Sequence, residues 1–313
     1  MRLITAYCLS HGHFTVMARQ LEEDFREMAD CGFNAVALSF SESEMVYSRR
    51  AFELQVGLAQ RQGLKVFVVP SRLGSRFAGA PLMPSLWLAC HPEAHVPGVM
   101  GIGGPIACLE HKPFRDWIRG FMTTLLTDYP LDGIIWDEPK YEDAISLHPA
   151  TIAKYGPHPT REQAEDSFVE FLADLTAHSL SIRPDLQITL FNQKSSERFT
   201  ARSCAVPGIA YAGYDGNLAR QSFFHEEPQW LKYRLETVWE RTLRECHAAG
   251  KKTFALVENM LMPAAAIPEY EENLRNYLST HRPDHLSLYF YAHNNEDPER
   301  VHAVTRQLMR ECL

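Results

Sequence analysis

Two glutamates close short apolar runs in this chain. Glu138 stands in Trp136-Asp137-Glu138-Pro139, directly after Gly133-Ile134-Ile135, and Glu258 ends Ala255-Leu256-Val257, with Asn259 next. Pro139 cannot donate to a β-ladder, so it stops strand pairing and lets Glu138 project from a rim. Carboxyl groups on two such rims can face each other across a cavity and divide the work. One protonates a leaving oxygen while the other attacks carbon or guides water, the arrangement that hydrolysis of a glycosidic bond needs. The structural alternative is a rim ion pair of Glu138 with Lys140 or Arg72, and an internal Glu258 neutralised by Arg72. Two glutamates at strand ends favour chemistry over that alternative.

A second constellation points to a different chemistry. His11-Gly12-His13 follows the first apolar run, and Asp137, Glu138, Asp215, Glu258 and His293 could complete a divalent-cation site. The H-x-H pair resembles that of amidohydrolases, but their pattern also demands histidines after strands five and six and an aspartate after strand eight. This chain offers Asn192-Gln193, Tyr214-Asp215 and Tyr291-Ala292-His293 there, and a chance H-x-H among 14 histidines is unsurprising. The alternative reading is therefore a metal-dependent barrel hydrolase or isomerase built on His11, His13 and the mouth carboxylates. A third reading is a non-catalytic carbohydrate-binding barrel, in which Phe40, Trp87, Trp136, Tyr214 and Tyr291 stack on sugar faces beside Asn, Gln and Asp. No dinucleotide fingerprint, Walker loop or G-x-S-x-G elbow is present.

These residues need a frame. Near-continuous apolar runs at 3–8, 33–40, 64–69, 131–137, 186–191, 208–214, 252–258 and 285–291 suit parallel strands buried on both faces. Helix signals separate them. Met17, Leu21, Phe25 and Met28 keep helical spacing up to Gly32. Ser41-x-x-Glu44 opens a helix expected to run to Gly63, and Thr160-x-x-Gln163 is a second capping box. Pro228 suits the first turn of a helix that continues to Gly250, and Asp297-Pro298 opens the last one. Eight β-α units without a break in composition predict one domain over 1–313, an α/β fold of the (β/α)8 TIM-barrel type. A doubly wound sheet is disfavoured by the regular units and by the lack of a Gly-rich first turn.

In such barrels the loops at the C-terminal strand ends carry the chemistry. Those ends offer His11, His13, Phe40, Arg72, Asp137, Glu138, Asn192, Tyr214, Asp215, Glu258, Asn259, Tyr291 and His293 as candidates. The third connection, 70–113, is far longer than the usual βα loop of about 2–6 residues and holds six glycines and seven prolines, with Trp87 among them. We read it as a long β3-α3 loop covering the mouth, which would add Arg72 and Trp87 to the site. Gly101-Ile102-Gly103-Gly104 within it is no phosphate cradle without a preceding strand and a following helix.

Composition bounds the remainder. The chain has 313 residues, 45% hydrophobic and 22% charged, with 31 Lys+Arg against 39 Asp+Glu and a formal charge of −8. That balance, without basic runs, argues against nucleic-acid or anionic-membrane partners. No apolar stretch nears the roughly 18 residues of a spanning helix, and the first residues read as a strand rather than a leader, so a cytoplasmic location is expected. The seven cysteines (Cys8, Cys31, Cys90, Cys108, Cys204, Cys246, Cys312) are dispersed and suit reduced thiols. The expected partner is a small carbohydrate, without cofactor or metal; self-association into a homo-oligomer stays open.

The glutamate after strand four in an x-Glu-Pro motif, and the second glutamate ending strand seven, resemble the clan A retaining glycoside hydrolases. The stretch from Pro70 to Pro81, with Phe77-Ala78-Gly79, and the Trp-Asp-Glu-Pro motif are also similar to uncharacterised bacterial barrel proteins regarded as glycosidases. The resemblance implies Glu138 as acid/base and Glu258 as nucleophile, with carboxyls about 5–5.5 Å apart. It implies a Glu138 kept protonated by Asp137 and the cover, and a Glu258 kept ionised by donors such as Arg72 or a tyrosine. Three departures stand out. Asp137 replaces the usual Asn before the acid/base, Arg72 follows strand three where the clan has an Arg near strand two, and Tyr291 replaces a Trp after strand eight.

Overall fold

Alternation along each strand decides which side chains meet. The structure is a computed structural model that describes residues 2–9, 17–80, 82–193, 195–221, 234–291 and 294–312. Eight parallel strands close into a ring: β1 (Leu3–Leu9), β2 (Ala35–Phe40), β3 (Lys65–Pro70), β6 (Gly133–Asp137), β7 (Gln187–Asn192), β8 (Ile209–Asn217), β9 (Lys252–Glu258) and β10 (His285–Tyr289), which pairs back with β1. The remaining two, β4 (His95–Gly101) and β5 (Gly104–Ala107), form a separate antiparallel hairpin. All eight predicted strands are ring strands, so the fold is a single (β/α)8 barrel.

Successive side chains of a strand point to opposite faces. One set fills the barrel interior: Leu3, Tyr7, Ala35, Ala37, Phe67, Val69, Ile135, Phe191, Tyr211, Phe254 and Leu256. Their immediate neighbours, such as Ile4, Val36, Val68, Ile134, Leu190, Ala255 and Leu286, belong to the larger layer between sheet and helices. Deep in the barrel His285 bonds Thr5 at 2.8 Å and Thr189 at 3.1 Å, and burial pushes its pKa down to about 3, so it is a neutral hydrogen-bonding plug. The interior leaves no slack at Gly213, where an added Cβ would lie 1.9 Å from the Phe254 carbonyl oxygen.

The helices start where their caps dictate. Ser41 and Glu44 close their capping box at the head of α2 (Glu42–Tyr47), and Thr160 and Gln163 do the same for α7 (Arg161–Ile182). The helix expected from Ser41 to Gly63 is divided at Ser48 (φ −134°, ψ 25°), and α3 (Arg49–Arg61) restarts after it. Helix α1 (Ala18–Asp30) ends before Gly32 as the pattern predicted. Helix α8 spans Glu197–Cys204. Pro228 lies outside the described residues; from Leu235 the chain is helical to Ala248 (α9), and α10 (Ile267–Thr280) and α11 (Pro298–Cys312) follow.

The segment 70–113 is structured and divides in two. Its first part turns through Leu73–Ser75 and runs beside the end of β6. Ala78 N–H donates to the carbonyls of Asp137 (2.8 Å) and Glu138 (3.2 Å), Lys140 N–H donates to Arg76 O (2.9 Å), and Phe77 bridges Pro139. Its second part packs on the outer side. Helix α4 (Leu86–Cys90) and the β4–β5 hairpin lie against α5 (Lys112–Asp128) and α6 (Pro149–Tyr155), and Ile102-Gly103 forms the hairpin turn.

Candidate active site

The mouth is a cavity of about 540 Å³ whose lining includes Tyr7, Arg72, Ala78–Ala80, Asp137, Glu138, Asp215 and Glu258. Phe191, Leu256, Met260 and Tyr289 supply its apolar wall. Parity selects the acids. Asp137, Asp215 and Glu258 continue the inward-facing series Ile135, Tyr211 and Leu256 by steps of two, so each points into the barrel. Glu138 is out of step and would face outward. It enters the cavity because the backbone turns there with φ +35°, a left-handed conformation held by the two Ala78 hydrogen bonds. A non-glycine residue in this region costs on the order of 1–3 kcal/mol and marks a geometry imposed by its surroundings.

Arg72 also has positive φ (+59°), and its Nε donates to Gly79 O at 2.8 Å, so the loop that pins Glu138 also fixes a guanidinium at the rim. Gly79 (φ +100°) has room for no side chain, since a Cβ would lie 2.3 Å from Ser71 Oγ. Glu138 forms an ion pair with Lys140. Burial opposes the Lys140 ammonium, yet the facing Glu138 carboxylate lifts its pKa above the usual lysine value. Tyr7 donates its hydroxyl to Asp137 Oδ2 at 2.5 Å, Gln193 Nε2 donates to Asp215 Oδ2 at 3.2 Å, and Gln221 Nε2 donates to Glu258 Oε2 at 3.5 Å. The Asp215 carboxyl lies close enough to Glu138 and Glu258 to feel the charge of both, and its Oδ1 is buried without a hydrogen-bond partner.

Four carboxyl groups in so little water cannot all be ionised. Burial first and the Glu138 charge second push Asp137 up to about 7, and the same two causes push Glu258 up to about 7. Asp215 is raised well above the carboxylate range by burial, then by Glu138 and Glu258. This corrects the expectation that Glu258 is held ionised. Its donor is the distant amide of Gln221, and Glu138 beside it is a like charge.

The candidates divide accordingly. Glu138, Glu258, Asp137, Asp215 and Arg72 meet at the mouth. Phe40 does not: it is buried outside the ring against Phe52, Phe121 and Tyr129. Trp87 stacks on Trp117 and His91, and its N–H is held by Glu42 at 2.6 Å. Asn192 points outward to Ser203 (3.4 Å), Tyr214 donates to Glu245 of α9, and Asn259 donates to Tyr289 O (2.8 Å) and Tyr270 (3.2 Å). Tyr291 donates to Asp24 of α1 at 2.7 Å. These six are corrections. Asn192, Tyr214 and Asn259 each sit one residue from an inward-facing neighbour, and Phe40 likewise follows the inward series Ala35-x-Ala37. His11, His13 and His293 lie outside the described residues. Among the described residues no three His, Cys, Asp or Glu side chains converge in a metal-holding arrangement. Tyr7, Gln221, Met260 and Tyr289 were not anticipated; parity from Leu3 and Thr5 would have placed Tyr7 inward.

The ring, its strand order and the carboxyls at its C-terminal ends define a (β/α)8 barrel with an acidic mouth. Among solved structures it is similar to glycoside hydrolases. The β-galactosidase of the haloarchaeon Halorubrum lacusprofundi superposes with a TM-score of 0.73 at 11% identity, over 99% of this chain and 58% of that one. The β-galactosidase of Marinomonas ef1 gives 0.71 at 12%, over 99% and 59%. The catalytic domain of the Paenibacillus polymyxa β-amylase gives 0.63 at 7%, over 99% and 98%. The chain thus spans under two thirds of the two β-galactosidases and nearly all of the amylase domain. At these identities the likeness is one of fold. No family model and no curated protein matches the chain.

Proposed function

We propose that the protein is a glycoside hydrolase acting on a small glycoside or oligosaccharide, with Glu138 as acid/base and Glu258 as nucleophile. One observation carries the reading: glutamates from the C-terminal ends of two separated ring strands, β6 and β9, line one cavity together with Asp137 and Asp215. The glycosidases that share this barrel support it. Double displacement with retention would set the two carboxyls roughly 5–5.5 Å apart.

The resting proton arrangement suits this mechanism after one transfer. Glu138 is paired with Lys140, while burial favours a proton on Glu258 near neutral pH. Attack requires the reverse. A proton leaving Glu258 for Glu138 would leave the total charge of the cavity unchanged. A sugar in the cavity would meet Arg72 and an aromatic wall in which Tyr7 packs edge-on against Phe191 and Tyr289.

The test is hydrolysis of a panel of aryl glycosides by the full chain. Glu258→Ala should lose turnover by about 10²–10⁴-fold and recover part of it with azide. Glu138→Ala should harm poor leaving groups far more than activated phenols. Proton NMR of the first-formed anomer should show retention. Near-wild-type turnover in both variants would defeat the assignment.

A further inference from the structure

The opposite end of the barrel holds a second cavity of about 540 Å³, lined by Arg2, Tyr211, Lys252, Arg282, Pro283 and Asp284. It lies where β1, β8, β9 and β10 begin, on the far side of the His285 plug from the carboxylate mouth. Three cations converge there in a protein whose formal charge is −8. Arg2 lines the cavity with its Nε engaged by Pro283 O at 2.8 Å and its Nη2 buried without a hydrogen-bond partner, so it contributes charge more than a free donor edge. Lys252 Nζ rests over the Tyr211 ring, 5.5 Å from the centroid. The one acid in the lining, Asp284, accepts through Oδ2 from Thr253 N and Oγ1, both at 2.9 Å, and its charge partly offsets the three cations by acting on Arg2. Among the described residues no carboxylate comes within ion-pairing distance of Arg2, Lys252 or Arg282.

Two guanidinium groups close enough to repel are held together at a cost. Arg282 depresses the Arg2 pKa, after burial itself. An oxyanion beside them would offset that repulsion, and the planar Arg282 guanidinium matches two oxygens of a tetrahedral anion. We propose that this pole of the barrel is a binding site for a phosphate group, with the Arg282 guanidinium as the fork and Arg2 and Lys252 as further cations. The cavity exceeds a bare phosphate, and the Tyr211 ring offers an apolar surface to an organic portion. The inference is independent of the reaction at the mouth.

The experiment is calorimetric titration of the full chain with inorganic phosphate and, separately, with glucose 6-phosphate, at ionic strength fixed by sodium chloride. One saturable site is expected. Arg282→Ala and Lys252→Ala should each weaken it by about tenfold or more, while melting in chloride alone stays as in the wild type. Equal affinities for the two ligands assign the site to free phosphate, and a tighter ester assigns it to a phosphorylated metabolite. Lys252 is exposed, so its variant keeps the test decisive if Arg282→Ala folds poorly. No saturable heat with either ligand, or binding that the substitutions leave unchanged, overturns the proposal.

Discussion

Replacing Glu258 by Gln should stabilise the protein, and the gain should grow with pH. The folded state raises the Glu258 pKa from 4.5 to about 7, through burial and then the Glu138 charge. Between those values the folded protein holds a proton that the unfolded chain has released, so stability falls as pH rises. Below about 4.5 the cost is absent; above about 7 it is complete. At about 1.4 kcal/mol for each tenfold change in proton affinity, ionising Glu258 costs the fold about 3 kcal/mol. Sharing of protons with Asp215 and Glu138 spreads that cost over several groups. The advantage of Glu258→Gln should therefore increase by about 1–2 kcal/mol from pH 5 to pH 8. Thermal melting of the two proteins across that range measures it, as a melting difference that widens by roughly 2–6 °C. A constant difference, or a variant that loses stability as pH rises, would show that donors hold the ionised form and that burial does not govern this carboxyl.

Glu138→Gln removes the charge that raises Asp137, Asp215 and Glu258, so the loss of stability with rising pH should be smaller and complete at a lower pH than in the wild type; pH-dependent melting reads this. Trp87→Ala should cost about 2–4 kcal/mol by denaturant unfolding through lost packing on Trp117, yet leave turnover within about twofold, because the ring lies away from the mouth. Hydrolysis should survive exhaustive chelation, and His11→Ala should raise KM more than it lowers kcat; activity restored only by a divalent ion would instead favour the metal reading.

The frame was legible because a buried parallel strand writes itself as an apolar run and a helix announces its cap. All eight runs became ring strands, and both capping boxes formed. The interruption at Ser48 was not legible, since nothing in Ser41–Gly63 breaks helical spacing. Nor was the interior of 70–113. Its glycines and prolines suggested an irregular cover, whereas the hairpin and α4 draw their stability from α5 and α6, contacts that no local pattern encodes.

Within the site, strand ends were found and orientation was not. A strand end offers two faces separated by one residue, and choosing polar or aromatic residues near the end samples both. Counting by twos from Ile135, Tyr211 and Leu256 separates Asp137, Asp215 and Glu258 from Tyr214 and Asn259, and that rule was available from the sequence. It fails only at Glu138, where the chain breaks parity and a neighbouring loop imposes a left-handed turn. That exception is where the functional reading places the acid/base. A residue held out of step, at a cost in backbone strain, beside three inward carboxyls that its own charge discourages from ionising, is hard to account for by stability. Each of those features raises the energy of the folded protein, and together they gather protons and a negative charge at one point of the cavity.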